Sequence, residues 1–207
     1  MHYDSSRGCL TMNIAEMNDE ELAAAFAEGS RAALEELINR YKADVFGFLA
    51  GLTGSRDAAE DLFQETFIKY VRNPDSYQPV RKFRSWLFTV ARNTALDYFR
   101  REKNRASVSL SETTDDETEN FEGSALLGIK DADANMPDRQ FENSCLADRI
   151  NSALASLSPE QREIFYLRHY SGLSFKEISA LTGEPAGTVL ARMSRTAAVL
   201  RRKIEEK

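Results

Sequence analysis

Residues 81–105 interleave cationic and aromatic side chains along one stretch of chain. The stretch carries eight basic residues against two acidic residues, Asp97 and Glu102. Its five aromatic residues are Phe83, Trp86, Phe88, Tyr98 and Phe99. Basic groups bind phosphates and aromatic rings stack on unpaired bases, so this combination suits single-stranded or melting nucleic acid. On its own, the pattern equally fits an amphipathic helix with a solvated basic face and a core-facing aromatic face.

A second group of polar residues lies on the last of two helices predicted over 174–203. Ser174 and Glu177 have the spacing of a capping box, a Gly-containing tight turn follows at 183–185, and a longer helix covers 186–203. In a helix-turn-helix, the first residues of the second helix contact base edges. Those positions hold Thr188, Arg192 and Arg195, and a second basic cluster follows at 201–203. The alternative is a purely structural pair of antiparallel helices.

Four amphipathic helices are needed to position the first group of residues. Asn18, Ser30 and Ser55 are polar residues at the expected starts of the first three helices, and Gly54 ends the second helix. The basic aromatic helix is the fourth, and it follows a break at Asn73-Pro74-Asp75. These signals predict a compact helical domain over 18–105, preceded by a tail over 1–17.

The amino-acid composition indicates how the rest of the chain is organised. Of its 207 residues 42% are hydrophobic, and Pro (5) and Gly (10) are sparse, which favours helices in one or two small domains. The net charge is −6, but residues 107–147 alone carry ten acidic residues against two basic ones. We therefore predict a flexible acidic linker over 106–146 and a second helical domain over 147–207. The candidate docking points in the linker are Phe121, Leu126, Leu127 and Ile129.

Several kinds of site and segment are disfavoured by the sequence. Two distant cysteines, Cys9 and Cys145, and two histidines do not make a convincing metal site, and free thiols in a reducing cytoplasm are expected. No apolar run approaches the ~20 residues that span a membrane, and the first residues do not resemble a signal peptide. There is no Gly-rich phosphate loop and no paired nucleophile and base, so we expect no catalytic residues and no cofactor.

Three motifs in this order resemble those of bacterial RNA polymerase sigma factors of the extracytoplasmic-function (ECF) type. DLFQETFIKYV at 61–71 is similar to the family's core-polymerase-binding helix, and FRSWLFTVARNTALDYFRR at 83–101 is similar to its promoter-melting segment. Residues 157–195 resemble its C-terminal helix-turn-helix. The resemblance covers roughly 18–105 and 147–205. It implies an all-α protein of two small helical domains that selects promoters and is not itself an enzyme.

The resemblance implies a role for the polar face at 61–71. Asp61, Gln64, Glu65 and Phe67 would bind the clamp helices of the RNA polymerase β′ subunit. Polar groups at helical spacing would set the register, and the ring would supply buried area. Without the resemblance, the same residues would be interpreted as a surface charge cluster beside a core phenylalanine.

The resemblance also implies which residues bind the minus-ten promoter element. These residues are Lys82, Arg84, Trp86, Arg92, Asn93, Arg100 and Arg101. Arg and Lys would hold phosphates, Asn93 would hydrogen-bond a base edge, and Trp86 would lie at the edge of the melted duplex. In this family one base is flipped into a pocket formed partly by the loop before this helix, which here is 73–81.

Thr188, Arg192 and Arg195 would read the minus-thirty-five element. At this point the chain departs from the family, which usually has a basic residue and then a small polar one after Gly-Thr-Val. Here Leu190 and Ala191 occupy these positions. Apolar side chains contact a thymine methyl but neither bind a phosphate nor read guanine. We therefore expect either an unusual promoter preference or a less important upstream element.

The implied partners are core RNA polymerase, through its β′ clamp helices and β flap, promoter DNA, and an anti-sigma factor that masks both domains. A cytoplasmic location and a monomeric free state are expected. In sigma factors the linker runs toward the basic active-site and RNA-exit channel of the polymerase. An acidic strand would mimic nucleic acid there. A solvated spacer fits the composition equally well.

Two other functions remain open from the sequence. One is a free-standing helix-turn-helix regulator, although such proteins usually dimerise on palindromes, and the motif at 61–71 would then have no purpose. The other is a sigma mimic that sequesters an anti-sigma factor without binding DNA, which Leu190 and Ala191 favour.

Overall fold

The computed structural model describes residues 14–109, 150 and 152–205, and their regular structure is helical. The first part contains α1 (Asp19–Ala27), α2 (Arg31–Thr53), α3 (Arg56–Arg72) and α4 (Phe83–Ser109). The second part contains α5 (Pro159–Tyr166), a π-helical turn (Leu167–Ser171), α6 (Phe175–Thr182) and α7 (Ala186–Glu205), after a helical stretch at 152–155. No strand occurs among the described residues, so the predicted all-α class is confirmed.

Polar caps begin the helices where the sequence predicts them. The Asn18 side chain accepts from the backbone N–H of Glu21, and the Glu21 carboxylate accepts from the N–H of Asn18, both at 2.8 Å. Ser30 and Ser55 accept from the N–H three residues further on. Gly54, at φ 66°, ends α2 in the left-handed conformation. These contacts satisfy backbone groups that helix ends otherwise leave without partners.

An aromatic cluster fixes α4 against α3 and the intervening loop. The cluster consists of Tyr70 from α3, Tyr77 from the loop, and Phe83 and Trp86 from α4, with ring centroids 5.2–5.7 Å apart. Edge-to-face contacts of this kind add stability beyond the area that the rings bury. The cluster therefore sets the direction in which the opposite face of α4 presents its basic residues.

The helices of the second part are also capped by polar residues and ended by glycine. Ser158 and Ser174 each close a capping box, with Gln161 and Glu177 respectively. Gly183, at φ 76°, ends α6 and makes the turn into α7. Ile178 of α6 and Val189 of α7 are fully buried between the two helices. The predicted short helix, tight turn and longer helix are all present.

The two parts pack against each other, and their buried apolar residues form one continuous core. The second part approaches α2 closely, because Gly47 faces the ring of Tyr170 and Gly51 faces the ring of Tyr166. Tyr166 is almost fully buried there. Sequence reasoning did not predict this contact, because it joins segments more than a hundred residues apart.

Three boundaries differ from the sequence-based expectation. A 3₁₀ turn at Ile14–Glu16 already packs on the core, and the Arg40 guanidinium donates to the carbonyls of Ala15 and Met17. Helix α4 runs to Ser109, into the range predicted as linker. The sequence predicts a helix that is capped by Ser158 and ends near Tyr170. In the structure α5 ends at Tyr166 and the chain continues as the π-helical turn, in which the Ser171 hydroxyl donates to the Leu167 carbonyl.

Some predictions fall on residues outside those that the structure describes. They concern the first part of the tail, both cysteines, and the acidic segment with its candidate docking points at Phe121, Leu126, Leu127 and Ile129. Within the described residues, no helix is long and apolar enough to cross a lipid bilayer.

Candidate polymerase and promoter interfaces

The surface of α3 carries polar residues predicted to bind polymerase. Asp61 and Gln64 are exposed, and Glu65 is ion-paired with Lys69 at 3.0 Å and with Arg101 at 3.3 Å. Burial raises the pKa of Glu65, but the hydrogen bonds from Lys69 and Arg101 outweigh it, and the pKa lies below its ordinary value. Glu65 is therefore a carboxylate near neutral pH and connects α3 to α4.

Phe67 lies inside the protein and not on this surface. Its side chain is 5% exposed, and its ring centroid is 4.9 Å from that of Phe63. The apolar groups that α3 does expose are Ile68 and Val71. They follow Gln64 at the fourth and seventh positions, which places them on the same helix face. Sequence reasoning missed Ile68 and Val71 because the motif pointed to Phe67. The spacing of these two residues from Gln64 could have indicated that all three share a helix face.

Three of the cations predicted to bind the minus-ten element contact the second part of the chain. Arg92 forms an ion pair with Glu163, and both side chains are less than a fifth exposed. The Arg84 guanidinium donates to the Ser171 carbonyl at 3.0 Å, and its other nitrogen pairs with Asp44 at 2.6 Å. Lys82 lies 3.3 Å from Glu177, largely in solvent.

The other residues predicted for this element remain accessible on α4. Asn93, Arg100 and Arg101 are exposed, while Trp86 is half-buried in the aromatic cluster. Arg100 forms an exposed ion pair with Asp97, which contributes little stability. These side chains lie along one helix, and Trp86 lines a surface depression together with Lys82.

A concave site lies beside the loop for which a flipped-base pocket was predicted. It has a volume of about 440 Å³ and is lined by Lys69, Arg72, Asn73, Ser76, Trp86, Val90 and Asn93. A cavity of this size is large enough for a small planar ligand such as a nucleobase. The loop is held in place because the Tyr77 hydroxyl donates to the Arg81 carbonyl at 2.9 Å. Lys69 and Arg72 were missed by sequence reasoning, although both are basic residues in the last turn of α3.

The helix-turn-helix presents a small and mostly uncharged face at the start of α7. Thr188, Leu190, Ala191 and Arg195 are exposed, with 53% of Leu190 accessible. The predicted contact residue Arg192 is instead paired with Glu184 of the turn at 2.7 Å. The structure thus brings Thr188 and Arg195 to the surface and holds Arg192 against its own turn.

The capping box at the start of α6 depends on an ionised carboxylate. The Glu177 carboxylate accepts from the hydroxyl of Ser174 at 2.7 Å and from its backbone N–H at 2.8 Å. These hydrogen bonds lower the pKa of Glu177. The charged form of Glu177 is thereby stabilised at the entrance to the helix-turn-helix. Among the described residues, no group of three or more His, Cys, Asp or Glu side chains is arranged to hold a metal ion.

Comparison with known families gives two matches in chain order. Residues 37–105 match the family described as Sigma-70 region 2. Residues 147–200 match the family described as Sigma-70, region 4. The first match contains α3 and α4, with the polar face, the basic face and the concave site, and the second contains the helix-turn-helix.

Individual proteins show the same likeness. The chain is 32% identical to the RNA polymerase sigma factor CarQ of Myxococcus xanthus, over 82% of this chain and 88% of that protein. It is 34% identical to the ECF RNA polymerase sigma factor SigE of Mycolicibacterium smegmatis, over 87% of this chain but only 66% of that longer protein. Among solved structures it resembles the sigma factor RpoE of Bartonella quintana, crystallised with the anti-sigma factor NepR. That comparison gives a TM-score of 0.60 and 25% identity, over 84% of this chain and 97% of that chain.

Proposed function

The chain belongs to the ECF-type sigma factors of the sigma-70 family, and from this premise we propose how its surfaces direct RNA polymerase to promoters. Residues 18–105 act as region 2, residues 147–207 act as region 4, and residues 106–146 connect them. The observation that carries the proposal is the presence of both region matches, in order, on one chain. A free-standing regulator needs only the second.

Core RNA polymerase binds the face of α3. The polar part of this face is Asp61, Gln64 and Glu65, and the exposed Ile68 and Val71 supply the apolar area. Interfaces of this type combine a small apolar centre with a polar rim that fixes the register. Phe67 contributes indirectly, because its buried ring is part of the hydrophobic core that holds α3 in place.

Region 2 binds the minus-ten element along α4 and helps to melt it. Lys82, Arg84, Arg92, Arg100 and Arg101 hold phosphates, while Asn93 and Trp86 line the concave site that receives an unstacked base. Extruding a base costs a few kcal/mol, and contacts in a pocket offset that cost. Lys69 and Arg72 add positive charge at the rim of the same site.

Region 4 reads the upstream element with a face that differs from the usual pattern of its family. Thr188 and Arg195 are placed to contact DNA, while Leu190 is suited to a thymine methyl group. The promoter preference therefore favours thymine at the position under Leu190. Arg192 contributes mainly by stabilising the turn, through Glu184.

The protein performs no chemistry of its own, since the polymerase supplies the catalysis. Its partners are core polymerase, through the β′ clamp helices and the β flap, and promoter DNA. An anti-sigma factor is a further partner, as for the Bartonella quintana protein, whose structure was solved as such a complex. The site of action is the cytoplasm, where the polymerase and the promoter are found.

In vitro transcription tests the proposal directly. Purified core polymerase is given a library of genomic fragments, with and without this protein, and the new transcript starts are sequenced. A promoter-selecting subunit yields new starts that share sequences about ten and thirty-five base pairs upstream.

Two other results would point away from promoter selection. Specific DNA binding without polymerase, together with no new starts, would favour a free-standing regulator. Binding to an anti-sigma factor, with neither DNA nor polymerase binding, would favour a sigma mimic.

A further inference from the structure

A second concave site lies where the start of α4 faces α6. Its volume is about 350 Å³, and small-molecule sites usually have volumes of roughly 300–1,000 Å³. It shares Trp86 with the site beside the loop but is otherwise lined by different residues. The lining residues are Arg81, Lys82, Ser85, Trp86, Thr89, Glu177, Ala180 and Leu181. We call this the α4–α6 site.

Two adjacent cations line the α4–α6 site. Arg81 is exposed, and no ion pair among the described residues involves its guanidinium. The Lys82 ammonium lies 3.3 Å from Oε1 of Glu177, but its side chain is 74% exposed, so solvent screens this pair. Both cations are therefore available to an anionic ligand. The planar fork of arginine suits the oxygens of a phosphate group in particular.

Trp86 supplies a fixed aromatic surface. Its ring packs at steep angles on Tyr70, at 5.2 Å between centroids, and on Tyr77, at 5.7 Å. These contacts hold the indole in one orientation. Helix α6 adds the apolar side chains of Ala180 and Leu181 to the same site. A fixed ring with apolar neighbours favours a planar ligand, because nucleic-acid bases stack on such surfaces.

Glu177 supplies a fixed hydrogen-bond acceptor. Its Oε2 atom accepts from the backbone N–H and the hydroxyl of Ser174, at 2.8 and 2.7 Å, whereas its Oε1 atom faces Lys82. The hydrogen bonds from Ser174 lower the pKa of Glu177, so the group is a carboxylate near neutral pH. A carboxylate accepts from N–H donors and repels anions. The site therefore disfavours a simple inorganic anion and favours a ligand that combines a negative charge with an N–H donor.

Two hydroxyl groups one turn apart on α4 complete the site. The Thr89 hydroxyl donates to the Ser85 carbonyl at 2.8 Å. The Ser85 hydroxyl has no hydrogen-bond partner within the residues that the structure describes, so it is available to a sugar hydroxyl or a phosphate oxygen. The α4–α6 site thus offers a group for each part of a nucleotide, namely the base, the sugar and the phosphates.

We propose that the α4–α6 site binds a purine nucleoside diphosphate whose base carries an amino group, as adenine and guanine do. The base packs on Trp86, and its amino group donates to Oε1 of Glu177. The phosphates bind Arg81 and Lys82, since a diphosphate matches two neighbouring cations. A purine covers more of the indole than a pyrimidine does.

A nucleotide in this site competes with promoter DNA. Lys82 and Trp86 line the α4–α6 site, and both are proposed to bind the minus-ten element. The bound nucleotide removes one phosphate contact and covers one aromatic surface of that interface. This competition rests on the proposed function, whereas nucleotide binding itself does not. The nucleotide concentration would then adjust how strongly region 2 binds DNA.

Trp86 is the single tryptophan of the chain, so its fluorescence reports on the site directly. The full-length protein, without polymerase or DNA, is titrated with ADP, GDP, adenosine and inorganic pyrophosphate, and calorimetry follows the same titrations. We expect saturable quenching by ADP or GDP. Adenosine and pyrophosphate should each bind roughly tenfold more weakly, because each lacks part of the contacts. Inosine diphosphate, whose base has no amino group, should also bind about tenfold more weakly than the preferred nucleotide.

Four variants locate the bound nucleotide. Arg81→Ala removes a phosphate contact, and Ala180→Phe fills the site from an exposed position of α6, so each should weaken binding about tenfold. Arg72→Ala removes a cation from the neighbouring site that also contains Trp86, and Lys42→Ala removes an exposed cation of α2. Both of these should bind the nucleotide as wild type does. Circular dichroism checks each fold, and Arg81→Ala alone decides if Ala180→Phe does not fold.

The preferred nucleotide is then added to the protein bound to labelled single-stranded DNA of random sequence. At ten times its dissociation constant, it should raise the apparent Kd for this DNA roughly tenfold in wild type. The same concentration should raise it only about twofold in Arg81→Ala, which binds the nucleotide more weakly. An unchanged Kd for DNA in wild type would overturn the competition.

Three results would overturn the nucleotide site. The first is the absence of both quenching and heat with ADP and GDP up to millimolar concentrations. The second is binding of pyrophosphate as tight as that of either nucleotide, since the base would then contribute nothing. The third is a loss of binding in Arg72→Ala but not in Arg81→Ala, which would place the nucleotide in the neighbouring site. Transcription by wild type with core polymerase reports the proposed function separately.

Discussion

Arg192 of α7 is ion-paired with Glu184 in the turn before that helix, with 2.7 Å between the Nη1 and Oε1 atoms. The two side chains are only 24% and 30% exposed. The pair connects α7 to the turn that precedes it. Arg195 lies nearly one helical turn further along α7 and faces solvent. From this difference we infer that two arginines that look equivalent in the sequence have different tasks.

Replacing these two arginines separately distinguishes the tasks. We expect Arg195→Ala to reduce the slope of log affinity against log salt by about 0.9 for DNA with an upstream element, because one phosphate contact is lost. We expect Arg192→Ala to leave this slope unchanged and to lower the thermal midpoint instead. Holoenzyme binding at several salt concentrations and thermal melts of the free protein measure the two effects. Equal slopes for the two variants would contradict the assignment.

Leu190 predicts sensitivity to a single methyl group in the promoter. Replacing the thymine beneath it with deoxyuridine removes that methyl, and we expect wild-type holoenzyme to lose about 0.8 kcal/mol, or roughly fourfold in affinity. Leu190→Ala should bind the two DNAs equally. Deoxyuridine at thymines outside the upstream element is the control. If no single replacement in the upstream element affects wild type, Leu190 does not read thymine.

Local signals explain what the sequence revealed about the fold. Asn18, Ser30, Ser55, Ser158 and Ser174 all cap the helices predicted to follow them, because a cap is decided by residues within one turn. The helix-turn-helix was predictable for the same reason, since Gly183 supplies the left-handed turn. The exact end of α5 was not, because α5 passes into the π-helical turn without a side-chain cap at the junction.

Side-chain partners across the chain were beyond sequence reasoning. Arg92 looked like a free phosphate-binding group, but its partner Glu163 is 71 positions away and reaches it only through tertiary packing. Phe67 looked like a surface anchor, because the helical pattern does not say which apolar residue of a wide stripe is the more deeply buried. Gly47 and Gly51 carried no signal at all, since their role depends on Tyr166 and Tyr170.

Because Phe67 is buried, we expect its replacement to act mainly on the stability of the fold and not on a direct contact with polymerase. Phe67→Ala should lower the free energy of unfolding by about 3–5 kcal/mol, as expected for a large buried ring. Asp61→Ala, on the exposed part of the same helix, should leave stability nearly unchanged and weaken binding to core polymerase. Chemical denaturation and a polymerase pull-down separate the two outcomes. A Phe67→Ala protein of wild-type stability that fails to bind polymerase would show that the ring acts at the interface.

The capping carboxylate of α6 predicts a pH dependence of stability. Hydrogen bonds from Ser174 lower the pKa of Glu177 in the folded protein. Its stabilising contribution is therefore fully present above the unfolded value of 4.5 and is lost as the pH falls through the lower folded value. Gln also completes a capping box but does not ionise, so Glu177→Gln is the matched reference.

We expect the thermal midpoint of wild type to fall relative to Glu177→Gln only below about pH 4.5, where the carboxylate begins to take up a proton. Melts of both proteins between neutral pH and mild acid provide the measurement. A constant difference across the whole range would mean that the ionisation of Glu177 contributes nothing to folding.

The concave site beside the loop predicts that Asn93 affects which base is accepted and not how tightly DNA is held overall. Its side chain is exposed and lines the 440 Å³ site together with Trp86 and Asn73. An amide that hydrogen-bonds a base edge contributes about 1–3 kcal/mol of discrimination. Asn93→Ala should therefore narrow the differences among promoters that carry each of the four bases at the flipped position. Gln78→Ala, an exposed change in the same loop that does not line the site, should preserve them. Equal discrimination by wild type and Asn93→Ala would move base recognition away from this site, whereas a uniform loss on all four promoters would mean that Asn93 contacts the backbone.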